Sequence, residues 1–230
     1  MNNKKNYNRR KDQALAIMTI LVIVCVAVMT YLLYDLERMH QTLETKGTDD
    51  AKQYEDPTLE NSLDTLILME QETWAGLSEN EKIAVLQKIA DIEQVYLGLP
   101  DKMTVKSAEL SEGILAEYMD SDRSINVDRE NLLQISSYTL CEAILHEAYH
   151  SLEFRMVDVY DDADEKLKQL PYMRTAAAYK DEFNNYISCN KDRDGYWNQT
   201  CEIDSFAYAA ERVESYISLI KDAVYGDAVG

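Results

Sequence analysis

The chain contains three histidines, and two of them, His146 and His150, lie four residues apart. Residues at this spacing project from the same face of an α-helix, so the two imidazole rings converge. Two neutral imidazoles arranged in this way can occupy two corners of a tetrahedral zinc site. The motif is flanked by apolar residues at helical spacing, namely Leu140, Ile144, Leu145 and Leu152. The pattern therefore predicts a buried helix with a metal-binding face, and zinc as its cofactor.

Glu147 directly follows the first of these histidines. One residue further along a helix points about 100° around its axis, which places Glu147 near the open metal position without making it a ligand. A carboxylate there can take a proton from a metal-activated water and give one to a leaving amine. The sequence thus predicts His146 and His150 as metal ligands and Glu147 as a catalytic base.

The third ligand is narrowed by elimination. No histidine follows His150, and Glu153 and Met156 occupy the positions at which a metzincin would carry glycine and histidine. Unless a cysteine is used, the third ligand is a carboxylate, and the site is His₂Glu or His₂Asp.

A helix predicted from about residue 200 to 223 offers two candidates, Glu202 and Asp204. Glu202 falls on an otherwise apolar or aromatic face, whereas Asp204 falls on a more polar one. A carboxylate on a buried face needs a partner, and a metal ion would provide it. We therefore predict Glu202 as the ligand; the alternative is that Glu202 is favoured only by the helix dipole. The Glu202 face continues with Phe206, Ala209, Val213, Tyr216 and Ile220.

Over roughly residues 100–215, the chain resembles compact gluzincin-type peptidases, in which a later helix carries the third ligand in a motif close to Glu-x-Glu-Ala-Asp-x-Phe-Ala. Residues 202–209 read Glu-Ile-Asp-Ser-Phe-Ala-Tyr-Ala and match it loosely. The resemblance implies a zinc metallopeptidase with Glu202 as third ligand and a peptide or protein as substrate. It also implies an edge strand that pairs with the substrate and a tyrosine that stabilises the oxyanion.

The sequence departs from the family at Phe206, where relatives often have an aspartate that orients a zinc-bound histidine. That partner must come from elsewhere in the chain, or the metal is bound less tightly. The alternative function is a non-catalytic zincin-like extracytoplasmic domain that binds or regulates a partner.

The order of predicted elements indicates an α+β fold. A capping box at Ser78 and Glu81 begins a helix, and three short strands follow at 103–106, 114–119 and 124–128. A turn at 120–123 joins the last two strands. Helices are predicted again from about residue 132 onward. We expect a zincin-like domain with a small, mostly antiparallel sheet and the His146–His150 helix.

Residues 13–34 contain no charged side chain and are long enough to span a membrane. Basic residues precede this stretch, which predicts a cytoplasmic N-terminus. The predicted organisation is a cytoplasmic tail (1–12), a transmembrane helix (13–34), a stalk (35–61) and an extracytoplasmic domain (62–230). This predicts a single-pass protein of the cell membrane.

Charge and cysteine content complete the predictions. The net charge is −19, and a surface this acidic repels phosphate backbones, so we expect no nucleic-acid partner.

Cys189 and Cys201 bracket a polar loop and would suit a disulfide in an oxidising compartment.

Overall fold

The computed structural model describes residues 56–226, which lie in a compact unit that begins at Asp56. Two 3₁₀ turns, Glu60–Ser62 and Ile67–Met69, flank the first helix. The α-helices are α1 (Leu63–Leu66), α2 (Gln71–Gly76), α3 (Glu79–Tyr96), α4 (Arg129–Gln134), α5 (Ser137–Asp162), α6 (Glu165–Lys168), α7 (Met173–Asn184), α8 (Arg193–Trp197) and α9 (Thr200–Tyr225). The strands are β1 (Thr104–Ala108), β2 (Ala116–Met119) and β3 (Ser124–Asp128).

Helix α3 begins at the predicted capping box. The backbone N–H of Ser78 donates to Glu81 Oε2 at 2.8 Å, and the Ser78 hydroxyl accepts from the Glu81 N–H. After the helix, Gly98 adopts a positive φ of 67°, which a residue without Cβ tolerates. Helix α3 buries Val85, Leu86, Ile89 and Ile92, whereas Tyr96 is exposed.

The sheet has the strand order β1-β3-β2. Strand β3 pairs antiparallel with β2 through the predicted turn at 120–123, and parallel with β1, so that Val105 lies opposite Ile125. The side chain of Gln87, in α3, occupies the outer edge of β1. Its Oε1 accepts from the Val105 N–H at 2.8 Å, and its Nε2 donates to the Met103 carbonyl at 2.9 Å. Because β1 is covered in this way, β2 is the edge left to face the helices that follow.

Helix α5 lies at the centre and packs against α3, α7, α9 and strand β2. It is separated from α4 by a break at Ile135 and Ser136, where the Ser136 hydroxyl accepts from the Thr139 N–H and caps the new helix. The predicted helix from residue 132 is therefore two helices. The α9 face predicted to be buried is buried at Glu202, Ala209, Val213, Tyr216 and Ile220.

A buried polar cluster joins α3 to α9. Glu93 is fully buried and accepts hydrogen bonds from Arg212 Nε at 3.0 Å, from the Tyr216 hydroxyl at 2.7 Å and from the Tyr208 hydroxyl. Burial lowers the pKa of Arg212, but the charge of Glu93 outweighs it and the net pKa is raised. Arg212 is therefore kept charged where it meets the Glu93 side chain, and the cluster joins the two helices.

The predicted fold class needs correction. The described part of the chain is mostly helical, with one small sheet of three strands, and that sheet is mixed rather than mostly antiparallel. The parallel pairing of β1 with β3 joins strands about 20 residues apart in sequence, which a strand pattern read locally does not reveal.

The prediction of a single-pass membrane protein with an extracytoplasmic domain is also contradicted. None of the helices within residues 56–226 is long and apolar enough to cross a membrane. The longest two, α5 and α9, have 26 residues each but carry charged side chains along their exposed faces. The predicted transmembrane helix at 13–34 and the tail before it lie outside the described residues, as does the stalk up to residue 55.

Candidate metal centre

His146 and His150 lie on consecutive turns of α5, and both rings are largely buried. Their Nε2 atoms are 3.0 Å apart, and the rings meet edge to face with centroids 4.6 Å apart. The two side chains thus present the same ring nitrogen to one point in space, as the spacing in the sequence predicted.

Glu202 reaches the same point from the first turn of α9. Its Oε2 atom lies 3.4 Å from His146 Nε2, and its Oε1 atom lies 3.7 Å from His150 Nε2. Ligand atoms in a tetrahedral site are about 3.3 Å apart when each lies about 2.0 Å from the metal. Glu202 Oε2 is buried and has no hydrogen-bond partner among residues 56–226. These three side chains could hold a metal ion.

Electrostatics at this point favour a bound positive charge. Burial lowers the pKa of His150, but the hydrogen bond to Glu153 and the nearby carboxylates outweigh it and raise the pKa to about 9. Burial raises the pKa of Glu202, whereas the neighbouring His146 ring and the charge of His150 bring the net pKa below its ordinary value. A negatively charged carboxylate is therefore kept beside the two imidazoles.

His150 is oriented by a carboxylate on its own helix. Its Nδ1 atom lies 2.7 Å from Glu153 Oε2 and 3.2 Å from the Ser205 hydroxyl, which itself donates to Glu153 Oε1. Glu153 is fully buried, and burial raises its pKa to about 7. Sequence analysis missed this partner, although the i,i+3 spacing of His150 and Glu153 was a visible signal.

His146 has a different neighbour. Its Nδ1 atom is buried without a hydrogen-bond partner in the described part of the chain, and its ring packs against Phe206 with centroids 4.3 Å apart. Phe206 in turn stacks on the half-exposed ring of Trp197 at 4.5 Å. Phe206, which departs from the motif used for comparison, therefore packs on the His146 ring and makes no hydrogen bond to it.

Glu147 lies beside the three side chains that could hold a metal ion and is not one of them. Its Oε2 atom accepts a hydrogen bond of 2.7 Å from the backbone N–H of Tyr118 in strand β2. The carboxylate is thus held between the metal-binding group and the edge of the sheet. This is the position in which it could move a proton to or from a group bound at that edge.

Two tyrosines complete the surroundings of Glu202. The Tyr186 hydroxyl donates to Glu202 Oε1 at 2.6 Å, and the Tyr196 ring meets that of Tyr186 edge to face. Burial and the charge of Glu202 raise the pKa of both phenols, so both remain protonated donors. The sequence contains sixteen tyrosines and does not indicate which of them belong to the site. The fold places Tyr186 and Tyr196 there.

The structure does not bring together the other residues considered for the site. Cys189 is exposed and Cys201 is buried, and both are free thiols, so the predicted disulfide is not formed. Asp204 is turned away from the histidines and accepts a hydrogen bond of 2.6 Å from the Tyr179 hydroxyl.

Comparisons of the chain with protein-family models, curated proteins and solved structures give no match.

Proposed function

We propose that the chain is a zinc metallopeptidase in which His146, His150 and Glu202 bind the metal and Glu147 is the general base. One observation carries the proposal: three converging ligand atoms lie next to a further carboxylate, that of Glu147, which is held outside the ligand set. A structural metal site needs no such carboxylate, whereas hydrolysis needs a base in that place.

Zinc fits the donor set best. Two imidazoles and one carboxylate form a common catalytic zinc set, in which one coordination position stays open. Zinc bound there would polarise a carbonyl group and lower the pKa of water to about 7. Glu147 would then accept the proton of the attacking water and deliver it to the leaving amine.

The edge of the sheet supports a peptide as substrate. An extended peptide can add a strand to a free sheet edge through main-chain hydrogen bonds. The β1 edge is occupied by Gln87, whereas the outer side of β2 faces Glu147 through the Tyr118 N–H. A peptide that pairs with β2 would accept the Tyr118 N–H in place of Glu147, and its backbone would then lie beside both the base and the metal ligands.

The test is the Glu147→Gln variant of the full chain, compared with wild type and with Glu142→Gln. Glu142 lies on the same helix but is exposed, so it provides a matched control. We expect all three proteins to bind zinc and Glu147→Gln to lose about 10²- to 10⁴-fold in peptide cleavage. The measurements are metal content and the appearance of new termini in a mixed peptide library.

Two outcomes would count against the proposal. Undiminished turnover in Glu147→Gln would show that Glu147 is not the base. Stoichiometric zinc in a wild-type protein that cleaves no peptide would favour the non-catalytic binding domain instead.

A further inference from the structure

We infer that Tyr186 is a positioning residue for the metal ligand Glu202: its hydroxyl holds Oε1 and thereby presents Oε2 to the metal. The inference rests on the metal site of the proposed function and adds the way in which one ligand is oriented. It concerns a residue outside the helices that carry the ligands.

The two oxygens of Glu202 have different surroundings. Oε1 accepts the hydrogen bond of 2.6 Å from the Tyr186 hydroxyl. Oε2 is buried with no hydrogen-bond partner in the described residues, and lies 3.4 Å from His146 Nε2. A buried carboxylate oxygen without a partner is costly, and a cation at the convergence point would satisfy it. The carboxylate is thus arranged to bind through one oxygen while the other remains hydrogen-bonded.

Tyr186 is held in place without any metal. It follows the end of α7, and the next residue, Ile187, is held by the side chain of the buried Gln199. Gln199 Oε1 accepts from the Ile187 N–H at 2.8 Å, and Gln199 Nε2 donates to the Ile187 carbonyl at 3.0 Å. Gln199 directly precedes α9, so the same segment fixes both Glu202 and the loop that carries its hydrogen-bond donor.

The ring of Tyr186 also has a defined neighbour. It meets the Tyr196 ring edge to face, with centroids 6.4 Å apart. Although Tyr186 is partly exposed, its hydroxyl is directed inward to Glu202. Outer hydrogen-bond partners of metal ligands orient the ligand, and their loss weakens metal affinity.

The experiment compares Tyr186→Phe with wild type and with Tyr172→Phe in the full chain. Phenylalanine removes the hydroxyl and keeps the ring. Tyr172 is an exposed tyrosine at the start of α7 and serves as the matched control. The readouts are the zinc dissociation constant from competition with a chromogenic chelator, the visible spectrum of the cobalt(II) protein, and the unfolding midpoint of the metal-free protein.

We expect Tyr186→Phe to raise the zinc dissociation constant about 10- to 100-fold. Its cobalt spectrum should lose intensity, because a released Oε1 can also bind the metal and raise the coordination number. Tyr172→Phe should leave the zinc dissociation constant and the cobalt spectrum unchanged. A merely structural role would lower the unfolding midpoint of the metal-free protein without changing the spectrum.

Two results would overturn the inference, and they differ in what they leave standing. An unchanged zinc affinity and cobalt spectrum in Tyr186→Phe would remove the positioning role and leave the proposed metal site intact. A wild-type protein that binds neither zinc nor cobalt would overturn the inference together with the proposed function.

Discussion

The two histidines of the candidate metal site differ at the ring nitrogen that faces away from the point where their Nε2 atoms meet. His150 Nδ1 is bonded to Glu153, whereas the buried Nδ1 of His146 finds no partner among residues 56–226 and its ring packs on Phe206. A carboxylate at this place fixes the tautomer of the imidazole and makes the other nitrogen a better ligand. His150 is therefore the better oriented of the two.

This difference leads to a prediction for Glu153→Gln. The substitution keeps the shape of the side chain but removes its charge, so zinc affinity should fall by about tenfold or more. Chelator competition measures it, with the exposed Glu142→Gln on the same helix as control. An affinity equal to that of wild type would show that Glu153 does not support the ligand.

Individual site residues could be predicted where their signal is local. His146, Glu147 and His150 follow from spacing within one helix, and the choice of Glu202 over Asp204 follows from the phase of α9. Tyr186 could not be predicted, because its contact with Glu202 depends on how the loop after α7 folds back on α9. The same holds for the role of Tyr118, whose backbone N–H is supplied by the sheet.

At the scale of elements, the site depends on the placement of α9 against α5. The buried cluster of Glu93, Arg212 and Tyr216 helps to fix α9, since it joins this helix to α3. Arg212 also stacks on Tyr96 at 3.8 Å. Removing one member of such a charge pair destabilises the fold, because the other member is then left buried and unpaired.

We therefore predict that Glu93→Ala lowers the free energy of unfolding by about 3–5 kcal/mol. Glu211→Ala, an exposed change on the same helix as Arg212, should stay within about 0.5 kcal/mol of wild type. Denaturant unfolding of the two variants measures both values. Equal stabilities would mean that the cluster is not a major link between α3 and α9.

The elements themselves were predictable to different degrees. Helix α3 is set by its capping box and apolar face, and α9 by a continuous buried stripe, so both could be predicted from local sequence. Helix α6 spans only Glu165–Lys168, and the β1–β3 pairing is parallel although a mostly antiparallel sheet was predicted. These features depend on tertiary contacts, which outweigh local propensity.

At the scale of the whole molecule, the prediction of a membrane protein is not retained. It rested on residues 13–34, which lie outside the described part, and no helix of residues 56–226 can span a membrane. The metal-binding group belongs to the compact unit that begins at Asp56, and its ligands come from two long helices, α5 and α9. Local spacing within α5 brings His146 and His150 together, and the packing of α9 against α5 adds Glu202.

The central claim is that Glu202 joins His146 and His150 around one metal ion, and bound metal in Glu202→Ala and Asp204→Ala tests it most directly. Both residues lie in the first turns of α9, but Asp204 bonds to Tyr179 rather than facing the histidines. Elemental analysis of each full-length variant after gel filtration in trace zinc should find stoichiometric metal in Asp204→Ala and a large loss in Glu202→Ala. Zinc retained by Glu202→Ala and lost from Asp204→Ala would contradict the account.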